Sequence, residues 1–261
     1  MSIEKSLEAI GATCIVKGAA SFKPGWKETV ESRKGTTIFM ATHIRGLSIT
    51  LSEMNTLPDS DYFEMPSRSA VAHNDLYALA WQSGLFTLNN KGNLHKFTDS
   101  AARHYVKGGW LEEYVWLVIE DLCCSYPQSA CASDVVVVCE SQKNQLDAIV
   151  CQPSRALMIE CKTINYYKQN FGPKLAWSDL NKLRIVSKRI SKEKCDGLLV
   201  SMAKVTTNTI ERWRSHGVLV LARNGIWNLE SSVRHWLEKN SPVLEAENDQ
   251  APNPTVNATI S

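Results

Sequence analysis

Asp147, Glu160 and Lys162 are the residues whose types and spacing best suit metal-assisted chemistry. Asp147 lies in a strand-like run, and 13 residues later Glu160 and Lys162 end an apolar run that also predicts a strand. Side chains two apart in a strand point to the same face, so Glu160 and Lys162 should project together. A short turn between the two runs lets adjacent strands bring Asp147 beside Glu160.

Two carboxylates at one point bind hard cations that prefer oxygen ligands, so the expected cofactor is Mg²⁺ or Mn²⁺. Water bound to such a cation is acidified and can attack phosphorus, while Lys162 orients that water or neutralises charge in the transition state. Burying these charges at the end of an apolar strand without a metal would be costly. A D…E-x-K pattern also arises by chance, and a catalytically silent nucleic-acid-binding or assembly module stays open as the alternative.

The elements that must position these residues run from residue 108 to about residue 239. An amphipathic helix beginning near Trp110 precedes three strand-like runs. A basic helix, a strand, a helix, a strand and a final helix follow. This order predicts an α/β (α+β) domain over 108–239, with a mixed central sheet flanked by helices.

Three further regions are predicted around that domain. Residues 1–68 hold β-prone pieces, TTIFMA and LSITLS, and carry no motif that assigns a role. Residues 69–107 read as helix, hairpin and helix, the pattern of a small winged-helix-like connector. Residues 240–261 are polar and contain proline, which predicts a disordered tail.

Basic and aromatic residues after the carboxylates could contact nucleic acid. The segment Lys182–Lys194 is rich in lysine and arginine, and it predicts phosphate contacts by Lys182, Arg184, Lys188 and Arg189. A solvated helix face is the competing interpretation. Trp177, in a polar and aromatic stretch after the catalytic strand, is the candidate for stacking on bases.

Composition narrows the remaining classes. Hydrophobic residues make up 44% and charged residues 21%, and the formal net charge is +2, the balance of a globular protein with a core. No apolar run approaches the length that crosses a bilayer, and the N-terminus does not resemble a secretion signal, so a cytoplasmic protein is expected. The eight cysteines show no C-x-x-C spacing, which argues against a zinc site.

Five stretches together resemble the restriction-endonuclease-like, or PD-(D/E)xK, domain of CRISPR-associated effector nucleases. The likeness extends from about Ala70 to Trp236 and includes the connector. In those proteins the nuclease domain follows a CARF domain, which senses cyclic oligoadenylate. The stretches are GGWLEEYVW, NQLDAIV, LMIECKT, DLNKL and GLLVSM.

The resemblance implies roles for individual residues. It makes Glu112 the helix-borne acid, Asp147 and Glu160 the metal ligands, and Lys162 the catalytic lysine. It also places Lys182 near the active site, and the fold offers the backbone carbonyl of Cys161 as an extra metal ligand. The choice of Glu112 over Glu113 rests on this resemblance, and Glu113 could be an ordinary solvated residue.

The implied function is a divalent-metal-dependent endonuclease acting on DNA or RNA in CRISPR-linked antiviral defence. A small-molecule phosphodiesterase is a third possibility that no sequence feature favours. Related enzymes often work as dimers, so a homodimer is expected. The family's sensor is about twice as long as the region before residue 70. We therefore expect a weak response to cyclic oligoadenylate, with control by a partner chain or by residues 1–68.

Overall fold

A computed structural model of the chain describes most of its residues, in these ranges: 2–12, 14–16, 19, 21, 23–44, 47, 62–64, 71–89, 91–92, 94–139, 142–163, 174–191, 194–203 and 205–238. The helices are α1 (Ile3–Ala9), α2 (Trp26–Ser32), α3 (Lys34–Thr42), α4 (Val71–Gln82), α5 (Ser100–His104), α6 (Trp110–Ser125), α7 (Lys174–Ile190), α8 (Thr207–Arg214) and α9 (Leu229–Glu238). The strands are β1 (Cys14–Val16), β2 (Phe86–Leu88), β3 (His95–Phe97), β4 (Ala130–Cys139), β5 (Gln142–Gln152), β6 (Arg155–Lys162), β7 (Cys195–Ser201) and β8 (Val218–Ala222).

The central sheet has six strands in the order β1-β4-β5-β6-β7-β8. The pairs from β1 to β6 are antiparallel, whereas β6, β7 and β8 are parallel to one another. Strand β6 is buried along seven of its eight residues, as expected for a near-continuous apolar run covered on both faces. The mixed sheet flanked by helices confirms the predicted fold class.

Two apolar layers cover the sheet. On one face α6 and α9 pack over the sheet with fully buried tryptophans, Trp110 and Trp236. On the other face α1 and α7 pack over it, joined by Trp213 of α8. Ile159 and Cys161 belong to the first layer and Met158 to the second, which is the alternation predicted for this strand.

The predicted helix, hairpin and helix of the connector are confirmed. Helix α4 leads into the antiparallel pair of β2 and β3, and α5 follows. Asp99 caps α5 by accepting a hydrogen bond from the backbone N–H of Ala102 at 2.7 Å. Between α5 and α6 the residues Tyr105–Gly109 form a π-helical turn that is kinked at Gly108, where φ is 151° and ψ is −24°.

The β-prone interpretation of TTIFMA is wrong, because these residues lie in helix α3. One face of the helix, including Thr36, Thr37 and Met40, is buried, so tertiary packing overrides the β propensity. Thr37 and Thr42 also turn their hydroxyls back onto backbone carbonyls four residues earlier, at 3.2 and 2.9 Å. Most of the second β-prone piece, LSITLS, lies outside the described residues.

The first 68 residues, predicted as a region of unknown role, contribute to both parts of the fold. Helix α1 and strand β1 extend the sheet and its second apolar layer. Helix α3 packs against α6 and against α4 of the connector, and α2 contacts α6 through Trp26 and Trp116. The predicted tail, 240–261, lies outside the described residues. None of the described helices is long and apolar enough to cross a membrane.

Candidate active site

Asp147 and Glu160 lie side by side at one end of β5 and β6. The ladder pairs Ala148 with Ile159, and the next step of that register places Asp147 opposite Glu160. Directly opposed residues of an antiparallel pair project to the same face. The Asp147 carboxylate also accepts a hydrogen bond of 2.6 Å from the backbone N–H of Cys161. The two carboxylates predicted to act together are therefore neighbours.

Glu160 forms ion pairs with two lysines, although its side chain is only 3% exposed. Lys162 donates to one carboxylate oxygen at 2.6 Å. Lys182, from α7, donates to both oxygens at 2.9 and 3.0 Å. These charge-assisted hydrogen bonds bring a second lysine to the site, so Lys182 lies where the resemblance implied.

The carboxylates sit in a partly desolvated, mutually repelling environment. Burial, followed by the charge of Glu160, raises the pKa of Asp147 to about 6, although the Cys161 N–H and both lysines oppose this. Shifts of this kind arise where like charges are held together away from water. They are typical of functional sites, where such charges meet a ligand of opposite sign.

Glu112 interacts electrostatically with these carboxylates from α6. Helices α6 and α7 lie on opposite faces of the sheet. Burial and the charge of Asp147 raise the pKa of Glu112 to about 8, with Asp134 and Glu160 adding to the effect and Lys162 opposing it. Glu113, for which a solvated position was open, is instead buried and paired with Arg33.

Asp134 is a further carboxylate whose charge acts on Glu112, and it was not identified from the sequence. It lies in β4 with a left-handed backbone (φ 48°) and accepts a 2.6 Å hydrogen bond from Gln145. The β4–β5 ladder pairs Ser133 with Ala148 and Val135 with Leu146, so the same register places Asp134 opposite Asp147. A charged residue directly before a run of four valines was the available signal.

A tight backbone contact joins the end of β6 to the start of α6. The Thr163 hydroxyl donates to the carbonyl of Lys107 at 3.5 Å. Gly108, in the π-helical turn, has a φ of 151°, and a Cβ there would lie 2.2 Å from Thr163 Oγ1. Gly108 thus allows the strand that ends in Lys162 to meet the helix that carries Glu112.

The predicted nucleic-acid contacts divide between two flanks of α7. Leu183, Val186 and Ile190 face the core. Helical spacing puts Lys182 and Arg189 on the flank toward Glu160 and Arg184 and Lys188 on the other. Trp177 lies in the first turn of α7 rather than in a loop. Its side chain and residues 164–173 lie outside the described part of the structure.

Solved structures resemble this chain along most of its length. Protein VC1899 from Vibrio cholerae matches with a TM-score of 0.68 at 17% identity, over 92% of this chain and 62% of its own. Can2 from Sulfobacillus thermosulfidooxidans, solved in complex with cyclic tetra-adenylate, matches with a TM-score of 0.63 at 20% identity, over 78% and 56%. The chain thus spans about three fifths of these proteins, and identities this low show the fold alone.

No curated protein matches the sequence. A family model described as "Card1-like, endonuclease domain" matches residues 99–240, which is more than half of the chain. The matched range begins at the cap of α5, includes the whole sheet except β1, and contains every predicted site residue. The chain therefore belongs to the family of Card1-like endonuclease domains.

Proposed function

We propose that this chain is a divalent-metal-dependent endonuclease that hydrolyses phosphodiester bonds of DNA or RNA. The observation that carries the proposal is the convergence of Asp147, Glu160, Lys162 and Lys182 at the ends of β5 and β6. Membership of an endonuclease family supports it. Negative ligands and positive charges at one point suit a site that holds both a cation and a phosphate.

The donor set fits Mg²⁺ or Mn²⁺. No group of three or more His, Cys, Asp or Glu side chains converges on one point among the described residues. A cation here would therefore depend on Asp147 and Glu160, on the proposed carbonyl of Cys161, and on water. Mg²⁺ commonly binds through one or two carboxylates and keeps several waters. When bound, it would acidify a water molecule for attack on phosphorus.

The side chains of this chain supply the remaining chemistry. Lys162 and Lys182 lie where they can exchange Glu160 for the negative oxygens of a phosphate and stabilise the charge that builds there. Glu112, with its raised pKa, can hold a proton near neutral pH. Asp147 keeps one oxygen on the Cys161 N–H, which fixes the direction of the other.

A cleavage assay with and without metal tests the proposal. The purified chain is incubated with supercoiled DNA, single-stranded DNA and RNA in Mg²⁺, in Mn²⁺ or in excess chelator. We expect cleavage of at least one substrate with metal and none with chelator. Full activity in chelator would contradict the metal mechanism. Binding without cleavage under every condition would instead support the catalytically silent module.

The basic residues of α7 on the flank toward Glu160 should contribute more to nucleic-acid binding than those on the other flank. We expect Lys182→Ala/Arg189→Ala, on the flank toward Glu160, to flatten the log–log salt dependence of affinity by roughly one unit per lost phosphate contact. Arg184→Ala/Lys188→Ala removes the same charge from the other flank and is the matched control. Binding is measured in an Asp147→Asn background without cleavage. Unchanged slopes in both variants would return α7 to a solvated helix face.

Cyclic oligoadenylate is a candidate regulator because Can2, which has a similar fold, was solved in complex with cyclic tetra-adenylate. The described elements of the first 68 residues pack on the sheet and the connector. We therefore propose that these 261 residues, acting as a homodimer, respond weakly or not at all to cyclic oligoadenylate by themselves. Control would then come from a partner chain or from a signal read by residues 1–68. Calorimetry with cyclic tetra- and hexa-adenylate beside the cleavage assay tests this. Tight binding with a large rate increase would refute it.

A further inference from the structure

A buried ion pair links the N-terminal helices to the helix that carries Glu112. Arg33, at the junction of α2 and α3, donates two hydrogen bonds to the two oxygens of Glu113, one of them at 3.1 Å. The side chains are 12% and 9% exposed. Two parallel N–H···O bonds fix both the position and the direction of a carboxylate.

Arg33 also holds the turn through which the chain enters α6. Its guanidinium lies 4.5 Å from the ring centroid of Tyr105, in the π-helical turn. The Tyr105 hydroxyl hydrogen-bonds Thr37 Oγ1 at 2.8 Å, and Thr37 Oγ1 donates to the Arg33 carbonyl at 3.2 Å. One arginine therefore fixes the first turn of α6 at Glu113 and the residues just before that turn at Tyr105.

Glu113 and Glu112 are consecutive, so fixing the direction of one fixes the other. Side chains of a helix end about 5–6 Å from its axis, so a rotation of about 10° would move the Glu112 carboxylate by about 1 Å. A misplacement of about 1 Å can cost about 100-fold in rate. A buried pair adds little net stability over apolar residues of similar size, and its directional effect is therefore the more important one.

We propose that Arg33 is a positioning residue for the candidate active site. It acts through Glu113 and Tyr105 to fix the rotation of α6 and hence the place of Glu112. This rests on the proposed function and gives the N-terminal helices a defined part in it.

The test removes both charges together, because a single change would leave Glu113 buried and unpaired. Arg33→Met/Glu113→Gln is compared with Lys27→Met/Glu120→Gln, a second ion pair between α2 and α6. That control pair lies two turns further along α6 and is 59% and 30% exposed. We expect kcat to fall about 100-fold in the first variant and less than about twofold in the control, with substrate affinity unchanged in both. Arg33→Lys, which loses the two-pronged geometry, should fall between them.

A Glu112→Gln background separates positioning from general damage. If Arg33 acts through Glu112, the loss caused by Arg33→Met/Glu113→Gln should shrink to less than about twofold there. A loss of the same size in both backgrounds, or no loss of kcat at all, would overturn the proposal.

Hydrogen exchange of amides 105–113 tests the positioning without any cleavage. We expect faster exchange in the Arg33→Met/Glu113→Gln variant and wild-type exchange in the control. Unchanged exchange overturns the proposal. A wild-type chain that cleaves nothing refutes the proposed function instead, and exchange then decides about Arg33 by itself.

Discussion

Asp147→Asn should lower cleavage by more than about 100-fold while the fold stays intact. Partners that lie outside the ligands of a metal site already cost about 10- to 100-fold when removed, so loss of a ligand charge should cost more. Asparagine is of the same size, and its oxygen can still accept the hydrogen bond from the Cys161 N–H. The change therefore removes the charge and leaves the geometry.

The same variant should melt no lower than the wild type in chelator. The Asp147 carboxylate is buried next to the charge of Glu160. Removing the charge of Asp147 therefore relieves repulsion between the two carboxylates in the metal-free protein. Asp121→Asn, which removes an exposed carboxylate of α6, is the control for both measurements. Cleavage at near wild-type rate by Asp147→Asn would show that the ligand assignment is wrong.

Gly108→Ala should strongly impair both stability and cleavage. A backbone conformation this unfavourable for other residues costs roughly 1–3 kcal/mol. The new Cβ would in addition lie 2.2 Å from Thr163 Oγ1, and overpacking costs typically about 1–3 kcal/mol. Relief of that contact would move Thr163 away from α6 and, with it, the neighbouring Lys162.

The contact and the backbone strain can be separated. Gly217→Ala is the matched control, since Gly217 has a φ of 76° and a Cβ there would meet no atom within 4 Å beyond its chain neighbours. Gly108→Ala/Thr163→Ala removes the clashing hydroxyl and should recover part of the melting temperature and of kcat. Equal losses in the two glycine variants would show that the Thr163 contact has no effect.

The part of the site that follows from strand periodicity was predictable. Glu160 and Lys162 share a face because β6 alternates, and this alternation is local and independent of the rest of the chain. Asp147 is beside them because β5 and β6 are joined by a short turn that sets the register. The apolar residues next to Asp147 and before Glu160 made these charged residues conspicuous in the sequence.

The parts that depend on distant residues were not predictable in the same way. Glu113 is buried because it pairs with Arg33, which lies 80 positions earlier in the chain. No spacing rule connects two residues so far apart. Helix α3 forms from β-prone residues because α6 and the connector bury one of its faces. Gly108 looks like an ordinary turn glycine until Thr163 is placed against it.

Strand β1 has a consequence for how the sheet is completed. It pairs with the outer edge of β4, joining Cys14 to Cys139, two positions whose contact closes a very long loop. Contacts of such separation form slowly and late. Until then the backbone groups of β4 at Val137–Cys139 lack this partner, and an exposed strand edge is a template for aggregation. A fragment that starts at residue 99 would keep that edge open permanently, so solubility, before any catalytic property, should be the first thing lost on removal of the N-terminal residues.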